Sequence, residues 1–221
     1  SSVQKQIDAE NGDIHAQLSL ALDFLNHEEI ENYLHWIRIA IENGSTEAEF
    51  HYGKYLCQKN SDRDKGMQFL MDAAEKDNMD AICYMARNIT SLSAINQNKI
   101  ANFVGKIGSS DDSLSVQQLI DLSYFFEEQN NLDSAISVLE KAYAKEPSVS
   151  WTRYVEVLKK RSDSMGHITI GKVYRQVAET GNISAIKALA AYVENKSSSA
   201  DDIKTALYWY KIAANAGDVS S

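Results

Sequence analysis

Ala206-Leu207-Tyr208-Trp209-Tyr210-Lys211-Ile212-Ala213-Ala214-Asn215-Ala216-Gly217-Asp218 is an Ala-rich apolar run stopped by a glycine. Its outline recurs upstream. Trp36-Ile37-Arg38-Ile39-Ala40-Ile41-Glu42-Asn43-Gly44 is one copy, and Phe69-Leu70-Met71-Asp72-Ala73-Ala74-Glu75-Lys76-Asp77 is another. Val138 to Glu146 and Val173 to Gly181 follow, and Gln6 to Gly12 is a shortened copy. The stops at 12, 44, 77, 146, 181 and 217 differ by 32, 33, 69, 35 and 36 residues, so one degenerate copy hides near 110. A period of this length predicts stacked helical hairpins, because each hairpin buries its apolar face only against a neighbour.

Composition agrees. One Pro and 10 Gly in 221 residues are too few for a sheet protein's turns, so the expected class is all-α. Lys and Arg number 22 against 31 Asp and Glu, a formal charge of −9. That balance argues against nucleic acid or an anionic membrane surface as partner. No apolar run reaches the ~20 residues of a bilayer span. Cys57 and Cys83 have neither metal-site nor CxxC spacing and read as free, core-lining thiols.

Taken in order, the pattern predicts helices over 3–11, 14–26, 28–43, 46–58, 62–76, 80–90, 97–107, 113–129, 132–145, 148–161, 166–180, 182–195 and 200–216. Asp13 and Ser61-Asp62 stand at helix starts as caps, and Asn78-Met79-Asp80 opens the helix over 80–90. Residues 91–112 are the least regular, yet Ile100, Phe103, Val104 and Ile107 keep an apolar stripe, which favours continued stacking over a linker. Connections of two to five residues force each helix back along its predecessor. The expectation is a right-handed α-solenoid of about six antiparallel hairpins in a single repeat domain, 1–221. The lone half-hairpin at the start suggests a piece of a longer repeat protein.

Two repeat patterns are matched. Leu119-x-x-Leu122-Ser123-x-x-Phe126, Ala135-x-x-x-Leu139, Ala142 and Pro147 resemble the tetratricopeptide repeat, as does Trp151-x-x-Tyr154-Val155-x-x-Leu158. The other repeats look like the Sel-1-like branch of that superfamily: Ala16, Leu20-Ala21 and Phe24; Ala48, Tyr52-Gly53 and Leu56; Ala81, Met85-Ala86 and Ile89; and Thr205 to Gly217. Residues 91–112 depart from the pattern, and the Gly-x-Gly-Val loop between helices is missing. The resemblance implies a non-enzymatic protein–protein scaffold or adaptor, with other proteins as partners and no cofactor. It also implies settings: a bacterial cell-envelope or periplasmic assembly such as alginate (exopolysaccharide) export, or endoplasmic-reticulum quality control. A structural spacer in a multidomain protein is the alternative. The cysteine-rich subtype that binds β-lactams has a cysteine pair in each repeat, and this chain does not.

No catalytic or metal motif emerges. His15, His27, His35, His51 and His167 form neither HExxH nor an i, i+4 pair, and Gly105-Lys106-Ile107-Gly108 lacks P-loop spacing. Most acidic pairs fall at helix starts, where they complement the dipole. Glu127-Glu128 lies near a helix end, where acid is unfavourable, and this marks Glu128 as a binding candidate. Aligning first helices on Leu20, Tyr52, Met85, Leu122, Tyr154 and Leu189 puts Leu22, Lys54, Arg87 and Tyr124 in one groove-facing column and His15 in the other. The expected role is contact with an acidic or extended peptide, with Arg87 as carboxylate fork and Tyr124 as aromatic platform.

Overall fold

The structure is a computed structural model, describing residues 1–59, 62–108, 111–161, 163–196 and 200–216, with side chains except at 200–203. The described residues form thirteen α-helices and one 3-10 turn, Ile89–Ser91, with no strand among them. Contacts gather in two compact units, Ser1–Asp111 and Asp112–Ser221, whose boundary falls inside the irregular stretch.

Unit 1 holds α1 (Ser2–Glu10), α2 (Ile14–Asn26), α3 (Ile30–Glu42), α4 (Thr46–Gln58), α5 (Arg63–Glu75), α6 (Met79–Arg87) and α7 (Ala94–Gly105). Unit 2 holds α8 (Val116–Glu128), α9 (Leu132–Lys145), α10 (Pro147–Lys160), α11 (Ser164–Ala178), α12 (Ile183–Lys196) and α13 (Ala200–Asn215). The hairpins are α2/α3, α4/α5, α6/α7, α8/α9, α10/α11 and α12/α13, and α1 packs on α2 as the second helix of a hairpin would. The all-α hairpin stack expected from the period is what the chain forms.

The sequence period has a backbone cause. Second helices end at Glu10, Glu42, Glu75, Gly105, Lys145, Ala178 and Asn215, steps of 32, 33, 30, 40, 33 and 37 residues. At stops 12, 44, 77 and 181 the chain turns left-handed: Gly12, Gly44 and Gly181 have φ of 97°, 92° and 87°, and Asp77 has 61°. After α3, Gly44 N–H donates to Ile41 O at 2.9 Å and Ser45 N–H to Ala40 O at 3.0 Å. Those two bonds close the last turn, and they need the positive φ that glycine adopts without strain. Asp13, Ser45 and Asn78 then cap the next helices, accepting from Ala16, Ala48 and Ala81 N–H at 2.8, 3.1 and 2.9 Å.

Some expected boundaries are corrected. The helix read as 80–90 ends at Arg87 and gives way to the 3-10 turn. The helix read as 97–107 starts at Ala94, because Ser93 accepts from Asn96 N–H and caps it. The helix read as 113–129 starts at Val116, behind a reciprocal Ser115–Gln118 capping box. Asp62 makes no capping bond to α5; Ser61 and Gly217-Asp218 lie outside the described residues.

Small residues sit where helices cross. The position after the frame residue is Ala21, Gly53, Ala86, Ser123 or Ala190, with the larger Val155 in α10, and all are buried. The α4/α5 crossing brings the two backbones into contact. A Cβ on Gly66 would lie 2.7 Å from Gly53 O and 2.8 Å from Cys57 N; one on Gly53 would lie 2.8 Å from Leu70 Cγ. A second register device joins α2 and α4 to the ends of their own hairpins. Buried Gln17 of α2 donates to Ala9 O at 3.0 Å and accepts from Asn43 Nδ2 at 3.0 Å. Glu49 holds the same place in α4 and accepts from Lys76 Nζ at 2.6 Å, leaving its buried Oε2 without a partner. That hydrogen bond holds the Lys76 amine above its ordinary pKa.

Candidate functional site

In unit 1, the first helices α4 and α6 lie side by side, and their shared face carries side chains the core does not use. Phe50 of α4 and Tyr84 of α6 meet edge-on with centroids 6.1 Å apart. The Lys54 ammonium lies over this pair, 6.0 Å from the Phe50 centroid and 5.5 Å from that of Tyr84. Lys54 forms no ion pair with a described carboxylate, so its charge is held by ring faces alone. His51, half-buried, packs 5.1 Å from the Phe50 ring. Burial lowers its pKa; the Asp80 and Glu47 charges oppose that shift and Lys54 adds to it. The face therefore gathers Glu47, His51 and Lys54 from α4 with Asp80 and Tyr84 from α6.

Among the residues expected from sequence, Lys54 stands at the centre of this face. Arg87 is exposed in the last turn of α6, one turn beyond Tyr84. His15 is exposed in the first turn of α2. Leu22 is half-buried and packs on the cluster of Leu18, Tyr33, Ile37 and Tyr52, so its place is packing. His51 was missed as an isolated histidine; its signal was its spacing, four residues after Glu47 and three before Lys54.

Tyr124 and Glu128 belong to unit 2. One face of the Tyr124 ring is covered by the chain's own Arg153, whose guanidinium carbon lies 3.6 Å from the ring centroid. Arg153 is only 5% exposed. Its Nε donates to Ser123 Oγ at 3.0 Å, its Nη2 to Glu127 Oε2 at 2.6 Å, and its Nη1 lies 3.3 Å from Glu156 Oε2. Lys160 also pairs with Glu127. Glu127 near the end of α8 is thus neutralised by two cations from α10, which accounts for acid at an unfavourable helix end. Burial pushes its carboxyl up, but the bonds and charges of Lys160 and Arg153 hold it below the usual range. Glu128, its neighbour, is exposed. Arg153 was missed because it falls on an unspecified position of the Trp151-x-x-Tyr154 pattern.

Cys57 is half-buried and Cys83 fully buried, and neither is in a disulfide. Among the described residues no group of three or more His, Cys, Asp or Glu is placed to hold a metal ion, and no helix is long and apolar enough to cross a membrane.

These elements define a fold, a stack of antiparallel helical hairpins, and solved Sel1-repeat structures share it. The chain is similar to c5321, a protective antigen of uropathogenic Escherichia coli with an SLR fold: TM-score 0.62 and 18% identity, over 99% of this chain and 50% of that one. The chain thus spans about half the length of that relative. It is also similar to a Sel1 repeat protein from Oxalobacter formigenes: TM-score 0.58 and 14% identity, over 98% of this chain and all of the other. No protein-family profile matches the sequence, and no curated protein is significantly similar to it.

Proposed function

We propose that the protein is a non-enzymatic scaffold that holds an acidic segment of a partner protein on the α4/α6 face. The observation that carries this is Lys54, a cation lying over the Phe50 and Tyr84 rings with no described carboxylate as partner. An incoming carboxylate completes that arrangement, with exposed Arg87 one turn away as a second donor. Glu47 and Asp80 at the other end disfavour acid there, so the face also sets a direction for the bound segment. The fold likeness to Sel1-repeat proteins supports a scaffold.

Affinity capture from source cells, with wild-type protein and with Lys54→Glu/Arg87→Glu side by side, tests the reading. A partner retained by wild type and lost by the variant, with helix content unchanged by circular dichroism, is the expected result. A partner retained equally by both overturns it. The setting we propose is a bacterial cell-envelope assembly, of which exopolysaccharide export is one kind, with the periplasm as compartment. The Sel-1-like resemblance of the sequence supports it, and recovery of the protein solely in the cytoplasmic fraction contradicts it.

A further inference from the structure

A second surface, on α11 of unit 2, has a chemistry of its own. Two clefts flank this helix and share Gln176. The first, about 360 Å³, is lined by Tyr143, Ala144, Pro147, Val177 and their neighbours and is mainly apolar. The second, about 580 Å³, lies between Tyr192 of α12 and the α11 residues Ile168, Gly171, Lys172 and Arg175, with Glu179 following α11 at its end.

The walls of both clefts are fixed by bonds. Tyr143 donates its hydroxyl to Gln176 Oε1 at 2.6 Å, tying the end of α9 to α11. Tyr192 donates to His167 O at 2.7 Å, which lays its ring over Gly171; a Cβ there would lie 2.9 Å from the ring. Gly171 is what lets the second cleft keep this wall. With Gln176 Oε1 occupied, its Nε2 remains as a donor at the point where the clefts join.

Charge and exposure along α11 follow an order. Met165 and Ile168 are 62% and 51% exposed, high for large apolar side chains. Lys172 and Arg175 follow on the same face, both exposed and neither paired with a described carboxylate. Gln176 and the apolar first cleft come next. From Ile168 to Val177 the helix rises ~14 Å. An extended chain covers that with ~4 residues.

The geometry points to an extended partner segment docking along α11, with apolar side chains at both ends and acidic ones between them. One apolar side chain enters the cleft of Ala144, Pro147 and Val177, carboxylates meet Lys172 and Arg175, and a second apolar group covers Ile168. Gln176 Nε2 donates to a backbone carbonyl of the segment. This surface is distinct from the α4/α6 face.

A random dodecamer peptide library displayed on phage and selected on the intact protein is the test. Enriched peptides are then titrated against wild type, Lys172→Glu/Arg175→Glu, Gln176→Ala, and Lys54→Glu/Arg87→Glu. The expected result is an apolar–acidic–apolar consensus. Such peptides bind ~10-fold or more weakly to the α11 charge reversal, less well to Gln176→Ala, and unchanged to the α4/α6 variant. Lys172→Gln/Arg175→Gln gives the same ranking should the reversal disturb folding. No enrichment, a consensus without acid, or peptides sensitive only to the Lys54/Arg87 variant overturns the inference. Loss of the α4/α6 site leaves this outcome unaffected, so the two readings fail separately.

Discussion

Replacing Gly66 by alanine tests whether α4 and α5 are held at backbone contact. Taken alone, the helix favours the change, since alanine exceeds glycine by ~1 kcal/mol in a helix interior. The packing opposes it. The new Cβ lies 2.7 Å from Gly53 O and 2.8 Å from both Cys57 N and Cys57 Sγ, where 3.4 Å is ordinary contact. The sulfur can rotate away, but the two backbone atoms cannot, so the helices must part by about 0.6 Å. A gap of that size forfeits about a quarter of each contact's dispersion energy along the interface. Overpacking of this kind costs ~1–3 kcal/mol, occasionally more. The expected net loss for Gly66→Ala is ~1–3 kcal/mol, a fall in urea midpoint of ~0.5–1.5 M at a typical slope. Gly105→Ala is the control: it ends α7, nothing lies within 4 Å of its added Cβ, and its φ is not positive. It is expected to leave the midpoint unchanged or raise it. Urea titration followed by far-ultraviolet circular dichroism reads both. Gly66→Ala as stable as wild type would refute the close crossing.

Glu127 carries a pH signature. Its folded-state pKa is depressed, so its stabilisation is present above the ordinary carboxylate range and is lost as pH falls through the folded value. The expectation is that Glu127→Gln narrows the loss of stability between about pH 5 and pH 3; parallel wild-type and variant curves over that range count against it. Glu49→Gln gives Lys76 an uncharged acceptor but turns the orphaned oxygen into an amide donor, as in Gln17. Thermal melts are expected to show a neutral or slightly stabilising change, since an exposed lysine's pair is worth ~0–1 kcal/mol; a loss above ~2 kcal/mol contradicts it. In thiol titration Cys57 reacts in the folded protein, slowed because burial raises its pKa, and Cys83 reacts only on unfolding. Two thiols reacting at equal rates in the native protein contradict this assignment.

The repeat was legible because its punctuation is local. Gly12, Gly44 and Gly181 mark left-handed stops, and Asp13, Ser45 and Asn78 cap the helices α2, α4 and α6, so sequence spacing records backbone geometry directly. The irregular repeat was harder for the same reason inverted: Ser93 read as loop composition and Ser115 as helix interior, yet each is an N-cap. Interactions between helices were not legible. Gly66 matters through Gly53, and Arg153 through Ser123 and Glu127, partners 26 to 30 residues away in the latter case. Lys54 was identified from its column, but the Phe50–Tyr84 pair beneath it comes from two helices and has no sequence period. Tyr124 was read as a platform for a partner; the cation seen on its ring belongs to the chain itself.

Hydrogen–deuterium exchange on the complex with the captured partner tests the central claim most directly. The account predicts added protection over 46–58 and 79–87, the helices that carry Lys54, Tyr84 and Arg87, with α3 and α5 unchanged. Protection confined to α3 and α5, with none in α4 or α6, would contradict it.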